Sequence, residues 1–172
     1  TAEASIAAAE EVQRSLPAAD EAYYLRFGPQ HLTDRDGSIL RMEPRMLAMA
    51  SSLDLSAAVE LVHRHQGAAI AAHVNRPSFS VLSQLGFIPP DAGFDAVEVF
   101  LPCDAGPEAV AAAVRKFAGC GLPIVSSSDS HFPTDIGRAR TICEMKAPTF
   151  EELVLALRGV DGRNVRPCGA GE

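Results

Sequence analysis

LPIVSSSDSH at residues 122–131 is the most informative stretch of this chain. Its apolar first half predicts a buried β-strand at residues 122–127, and its polar second half carries Asp129 and His131. Residues two apart on an extended chain face the same side, so we expect the carboxylate and the imidazole to project together. A carboxylate beside an imidazole at the end of a strand is suited to bind a divalent metal.

Two further apolar runs complete a pattern of strands that alternate with helices. AAIAA at residues 68–72 is followed by His73, and FDAVEVF at residues 94–100 contains Glu98. Strands at 68–74, 94–100 and 122–127 predict a parallel sheet in an α/β fold. Capped amphipathic helices precede the first strand and join the last two, and a long Pro- and Ser-rich loop is predicted at 75–93. The C-terminal ends of parallel strands meet at one edge, where α/β enzymes place their active sites. Helices are predicted at 2–16, 41–52, 55–66, 107–118 and 149–158.

Composition limits the function classes. With 172 residues, of which 47% are hydrophobic, the chain is suited to one compact domain over residues 1–172. The net charge of −7 lacks the basic footprint of a nucleic-acid-binding protein, so no stable duplex partner is expected. No apolar run is long enough to span a bilayer, so no membrane partner is expected either. The Gly-rich end at residues 159–172 is predicted to be a flexible tail.

The cysteine content indicates the redox environment of the protein. The four cysteines form no C-x-x-C pair, so we expect reduced thiols and a cytoplasmic location. The oligomeric state is not readable from the sequence.

Several short motifs together carry a family resemblance. AAHVNRP at 71–77, FDAVEV at 94–99, and SSDSH at 127–131 with DIGR at 135–138 occur in this order. They resemble the later motif blocks of the PHP (polymerase and histidinol phosphatase) family of metal-dependent phosphoesterases, and the likeness covers roughly residues 54–158. The resemblance implies the C-terminal portion of a PHP-type distorted (β/α)7, TIM-like barrel, with a metal cluster at the C-terminal edge of its strands.

The resemblance also implies a set of site residues. His73, Asp129 and His131 are implied as metal ligands, and Asp129 and His131 together with Glu98 as catalytic residues. Two or three divalent ions are expected in the complete site. Imidazole and carboxylate ligands favour Mn, Fe or Zn, and Mg is also compatible. For Glu98 two roles stay open: lining the barrel interior near the metals, or pairing with a buried arginine.

Two arginines are candidates for binding the substrate. Arg76 and Arg138 each fit either a phosphate-binding role or that of a surface charge, because a guanidinium group matches phosphate geometry. Asp135, close to Arg138, is a candidate helix cap. The expected partner is a small phosphorylated metabolite or nucleotide, and the expected activity is hydrolysis of its phosphate ester by metal-activated water.

The family pattern also begins with a motif that this sequence lacks. That motif is a strand ending in His-x-His. His63 and His65 have this spacing, but they lie in a predicted helix, where residues two apart point in different directions. We therefore expect the chain to lack the first motif blocks of the domain. Residues 20–53, including FGPQ at 27–30, look like a subgroup of free-standing bacterial PHP proteins.

Two alternative functions remain beside the phosphoesterase. One is a degenerate or truncated, non-catalytic PHP domain with a binding role. The other is an amidohydrolase-like metal hydrolase, a class that also places His and Asp at strand ends. The Asp-Ser-His and Asp-x-Gly-Arg blocks favour the phosphoesterase over the amidohydrolase.

Overall fold

Helices and strands alternate along residues 1–169, the part of the chain that the computed structural model describes. The chain divides into two compact units, Thr1–Gly67 and a second that begins at Ala68. That the two together form one domain, as the composition suggests, stays a prediction. Within residues 1–169, no helix combines the length and the hydrophobicity needed to cross a membrane.

The first unit consists of three capped helices and one hairpin. Each helix begins after a Thr or Asp whose side chain accepts a backbone N–H three residues later, which satisfies one otherwise free donor of the first turn. In the hairpin the two strands pair antiparallel, as the predicted turn between extended pieces requires. The elements are α1 (Ala2–Ser15), α2 (Glu21–Phe27), β1 (His31–Thr33), β2 (Ile39–Met42) and α3 (Leu55–Arg64).

The helix predicted at residues 41–52 is wrong. Residue 44 is a proline, and side chains from elsewhere bind the backbone donors that a helix would use. The N–H of Leu47 donates to Gln30 Oε1 at 3.0 Å, and the N–H of Ala48 donates to Tyr23 Oη at 3.0 Å. Tyr23 also donates to Gln30 Oε1 at 2.7 Å. Tertiary hydrogen bonds therefore override a helical sequence pattern in this segment.

The second unit contains the predicted parallel sheet. Its strands β3 (Ile70–Ala71), β4 (Ala96–Glu98) and β5 (Ile124–Val125) lie in the order β3-β4-β5. All three strands fall inside the predicted segments but are shorter. Val97 and Val99 are fully buried in the core beneath the crossover helices. The α/β class is confirmed; three strands do not by themselves close a barrel, so the TIM-like barrel stays a prediction. The crossover helices are α4 (Val81–Leu85) and α5 (Pro107–Phe117).

The end of the chain differs from the predicted flexible tail. β7 (Asn164–Pro167) pairs antiparallel with β6 (Thr141–Glu144), and α6 (Phe150–Leu157) connects them. The strand forms because Val165 is buried in a small core with Ala96 and Leu157, which outweighs the glycines around it. Residues 170–172 of the predicted tail lie outside the described residues. The helices predicted at 2–16, 55–66, 107–118 and 149–158 are confirmed within two residues at each end.

An ion pair ties α6 to the start of β7. Arg163 Nε and Nη2 donate to the two carboxylate oxygens of Glu152 at 2.6 and 2.8 Å, and the N–H of Lys146 donates to the same carboxylate at 2.9 Å. These hydrogen bonds, that of Arg163 above all, lower the pKa of Glu152 to about 2.

The lowered pKa of Glu152 makes stability depend on pH. Because the folded-state pKa lies below the ordinary value of 4.5, the ionised pair stabilises the fold above about pH 4.5, and this stabilisation is lost as the pH falls toward 2. Glu152→Gln is expected to lower the melting temperature at pH 7, with a difference from the unmodified chain that shrinks below pH 4.5. Thermal unfolding across pH checks this, with Glu151→Gln as the exposed control. An equal loss of stability at pH 7 and pH 3 would contradict it.

Candidate active site at the strand ends

The candidate residues all follow or end the three parallel strands at the carboxyl edge of the sheet. His73 lies two residues after β3, Glu98 is the last residue of β4, and Asp129 lies four residues after β5. Because the strands are parallel and adjacent, their ends deliver these residues to the same edge. The structure therefore places these three residues at one edge of the sheet, and their role as a site stays a prediction.

Glu98 connects the segments that follow the two outer strands. Its Oε2 accepts the backbone N–H of His73 at 3.0 Å, and its Oε1 accepts the hydroxyl of Ser127. The backbone carbonyl of Glu98 also accepts the N–H of Val74 at 2.8 Å. These bonds give Glu98 a positioning role that the sequence did not indicate. Its catalytic role stays a prediction.

Asp129 is the centre of a charged cluster. Its Oδ2 lies 3.1 Å from Nη2 of Arg76, and its Oδ1 lies 3.7 Å from Nε2 of His131. The guanidinium of Arg76 also lies over the ring of Phe100, 5.0 Å from its centroid. Arg76 and Asp129 are both about one-third exposed, whereas His131 is 74% exposed. The Arg76–Asp129 pair is therefore partly buried, and His131 projects from it into solvent.

The backbone that brings Asp129 and His131 together is not the predicted extended strand. β5 ends at Val125, and Asp129 has a φ of +47°, in the left-handed region. His73 also has a positive φ, of +27°. Such backbone costs on the order of 1–3 kcal/mol for a non-glycine residue and occurs preferentially at functional sites. Asp129 and His131 are thus brought together by a local change in backbone direction and not by strand alternation.

Ser128 closes the loop that carries Asp129 and His131. Its Oγ accepts the N–H of Gly137 at 2.9 Å and that of Ala139 at 3.3 Å, and donates to the carbonyl of Ala139 at 3.0 Å. One hydroxyl therefore joins the two ends of the loop. Sequence reasoning treated the serine run as a polar strand end, although a run of small hydroxyl residues is itself a signal for local backbone bonding.

Ser128→Ala is expected to loosen this loop. The substitution removes the acceptor of two N–H groups, so amide hydrogen exchange over residues 129–139 is expected to accelerate by roughly 5-fold, which corresponds to the ~1 kcal/mol of a typical hydrogen bond. Ser130→Ala, at an exposed neighbouring position, is the control. Unchanged exchange in the Ser128→Ala chain would show that the hydroxyl does not hold the loop.

Asn75 is a second positioning residue that the sequence did not reveal. Its side chain accepts the N–H of Phe100 and donates to the carbonyl of Phe100, both at 2.9 Å. This pair of bonds fixes the turn after β3 against the end of β4. Arg76, next in the chain, is thereby placed over the Phe100 ring.

Arg138 forms its ion pair with Asp135. Its Nη1 lies 3.4 Å from Oδ1 of Asp135, and its side chain is 59% exposed. Asp135 Oδ2 also accepts the N–H of Phe132 at 3.2 Å, which is the predicted capping role. The phosphate-binding role of Arg138 stays a prediction.

The side chains at this edge fit the implied metal cluster only in part. Nδ1 of His73 is buried and has no hydrogen-bond partner among the described residues, as a metal ligand would require. However, Asp129 is engaged by Arg76 and His131, and within residues 1–169 no three His, Cys, Asp or Glu side chains are grouped to hold a metal ion. These residues therefore do not hold the implied cluster by themselves.

Fold and site together define a mixed α/β protein with acidic, basic and imidazole groups at the ends of parallel strands. Residues 107–159 match a family model described as PHP-associated. The predicted resemblance to the PHP family is confirmed by this match and by the structural similarity that follows. The search of curated proteins found no match.

Two solved structures are similar to the chain. One is the novel lesion-specific endonuclease PfuEndoQ from Pyrococcus furiosus, with 21% identity and a TM-score of 0.60 over 96% of this chain and 35% of that chain. The other is Endonuclease Q in complex with a 27-mer duplex substrate with an abasic lesion at the active site, with 26% identity and a TM-score of 0.53 over 71% of this chain and 30% of that chain. The chain thus spans about a third of the length of these structures.

The similarity corrects the predicted partners. From the family resemblance we expected a small phosphorylated substrate, and from the acidic composition no stable duplex nucleic acid. Both similar structures are endonucleases, and one holds duplex DNA, which contradicts that expectation. Net charge describes the whole chain and does not exclude local groups that are suited to contact nucleic acid.

Proposed function

We propose that this chain carries part of the active site of a PHP-type phosphoesterase that cleaves a phosphodiester bond of duplex DNA at a damaged position. The observation that carries the proposal is the Arg76–Asp129–His131 cluster at the carboxyl edge of a parallel sheet. The similar endonucleases support hydrolysis in general and nucleic acid as the substrate class.

In this proposal Arg76 binds the phosphate next to the scissile bond. A guanidinium group presents paired donors to phosphate oxygens, and Asp129 together with the Phe100 ring holds it in place. Arg138 supplies a second cation on the same loop as Asp129. His131, largely exposed, is free to reach the leaving or attacking oxygen and to exchange a proton with it.

Exposed aromatic side chains favour a nucleic acid over a small metabolite. Phe79, three residues after Arg76, is 87% exposed and has a φ of +55°. Phe132, next to His131, is 69% exposed. Aromatic rings on loops beside a phosphate site are suited to stack on unpaired bases, at roughly 1–3 kcal/mol per base. A damaged duplex offers such unstacked bases at low cost.

The metal ions of a PHP enzyme need ligands beyond those of residues 1–169. We propose that these ligands come from protein residues outside this sequence, as in a site shared with preceding motif blocks. The coverage of about a third of each similar endonuclease supports this. Mn, Fe or Zn is the preferred metal by donor type. Below, "the extended chain" means the protein translated with the reading frame continued upstream of Thr1.

Binding tests the proposed substrate class before any turnover is needed. A fluorescent duplex with one abasic site is expected to bind more tightly than the same duplex without the lesion, and sugar phosphates are not expected to compete. Arg76→Ala is expected to weaken binding by about 10-fold, in line with the loss of one phosphate contact. Arg115→Ala, on the exposed side of α5, is the matched control. Equal effects of the two substitutions, or displacement by a sugar phosphate, would contradict the proposal.

A second candidate function is that of a non-catalytic PHP-related domain that binds damaged DNA, and one observation favours it. That observation is the lack of a three-residue metal group among the described residues. The two candidates differ only in turnover.

A further inference from the structure

Three side chains outside the site form a compact sulfur–guanidinium cluster. Nε of Arg140 donates to Sγ of Cys103 at 3.4 Å, and the backbone N–H of Cys168 donates to the carbonyl of the same arginine at 2.8 Å. All three residues are at least partly accessible to solvent. The cluster lies within the second unit and is used by none of the steps proposed above.

Backbone contacts hold the two cysteines together. The N–H of Cys103 donates to the carbonyl of Arg138, and the N–H of Cys168 donates to the carbonyl of Arg140, both at 2.8 Å. A Cβ placed on Gly169 would lie 3.6 Å from the carbonyl oxygen of Cys103. The end of β7 is thus fixed against the segment that follows β4, so proximity of the thiols is built into the fold.

The two thiols are electrostatically unequal. The hydrogen bonds from Cys168 and Arg140 lower the pKa of Cys103, whereas the bond to Cys103 raises the pKa of Cys168. Cys103 is therefore the thiol of this pair that loses its proton more readily, and the thiolate is the nucleophile of cysteine chemistry. The remaining cysteines lack this setting: the thiol of Cys120 donates to the carbonyl of Phe117 at 2.9 Å, and burial raises the pKa of Cys143.

We propose that Cys103 and Cys168 are a redox-active thiol pair that closes to a disulfide when a peroxide oxidises Cys103. The Cys103 thiolate attacks one peroxide oxygen, which breaks the O–O bond, forms a sulfenic acid and releases hydroxide that is protonated to water. The Cys168 thiol then attacks the sulfenic sulfur, forms the S–S bond and loses its proton as a second water leaves. Two thiols and one hydrogen peroxide thus give one disulfide and two waters.

The closed disulfide would join the segment after β4 to the end of β7. Because Cys103 also binds the carbonyl of Arg138, the bond forms beside the loop that carries Asp129. The inference does not depend on the proposed DNA substrate, since it concerns only the thiols and Arg140.

Mass spectrometry of the peroxide-treated chain tests the pair. Limited hydrogen peroxide is expected to lower the intact mass by about 2 Da, and a Cys103–Cys168 cross-linked peptide is expected after digestion. Cys168→Ser is expected to leave a sulfenic acid on Cys103 that a dimedone probe labels. Arg140→Ala is expected to slow formation of the cross-link by about 10-fold, because the thiolate loses its cation.

Cys120→Ser serves as the matched control and is expected to retain the cross-link. Three outcomes would overturn the proposal: a cross-link through Cys120 or Cys143, dimedone labelling of Cys103→Ser equal to that of Cys168→Ser, or thiols that resist peroxide in the folded chain but react in urea. Circular dichroism of each variant shows that it is folded before oxidation.

Discussion

Replacing Asp129 with asparagine is expected to lower the rate of phosphodiester cleavage by the extended chain by about 100-fold or more. The amide keeps the shape of the side chain but removes the negative charge that Arg76 and His131 share. A neutral amide is also a poor ligand for a divalent ion, and groups that orient or ligate a metal typically contribute 10–100-fold or more to activity. The measurement is the single-turnover rate on a duplex with one abasic site.

Asp91→Asn is the control for this substitution, because Asp91 is an exposed aspartate outside the cluster. A double-mutant cycle with Arg76→Ala sharpens the test. If Arg76 and Asp129 act as one unit, the double variant is expected to lose scarcely more activity than Asp129→Asn alone. Full activity of Asp129→Asn would remove the central residue of the proposed site and favour the non-catalytic candidate.

The 172-residue chain alone is expected to show no metal-dependent turnover, while the extended chain is active with added Mn²⁺. A complete loss is expected because metal-assisted phosphoryl transfer needs ligands on every ion, and residues 1–169 contain no group of three. Both proteins are assayed on the same labelled duplex with and without a chelator.

Folding of the shorter chain is verified by circular dichroism in the same buffer. Robust, chelator-sensitive cleavage by the 172-residue chain would contradict the proposal that outside ligands are required. It would also show that the Asp129 cluster rearranges on binding metal.

Local sequence signals predicted most of the second unit. The apolar runs before His73 and before Ser126 are short, β-branched in part and bounded by glycine or proline, so their strands could be located without tertiary information. Pro107 and Thr149 similarly marked the starts of α5 and α6. That these strands are parallel followed from the alternation of strands with helices.

Tertiary hydrogen bonds account for what the sequence did not predict in the first unit. The segment at 41–52 has helical spacing, yet the Tyr23 and Gln30 side chains bind its backbone. Those bonds join residues about 17 and 25 positions apart in sequence, which no local pattern contains. In the second unit, strand β7 also depends on distant residues, because it pairs with β6 and the whole of α6 lies between them in the sequence.

The candidate site was predicted in part for a similar reason. The strand-end positions of Glu98 and Asp129 follow from local patterns, but their partners do not. That Glu98 binds the His73 N–H, and that Arg76 engages Asp129, depends on the strand order together with a positive φ at Asp129. The expectation of no duplex partner was wrong, and a whole-chain charge says little about a few arginines and exposed rings.

The most direct test of the proposed function is to map the position at which the protein cleaves a DNA duplex. A 27-mer labelled at one end and carrying a single abasic site is incubated with the extended chain and Mn²⁺, and the products are resolved at single-nucleotide resolution. The proposal predicts one metal-dependent nick next to the lesion and none in the undamaged duplex. Binding of the lesion without any nick at any metal tested, in a chain that is folded, would contradict it.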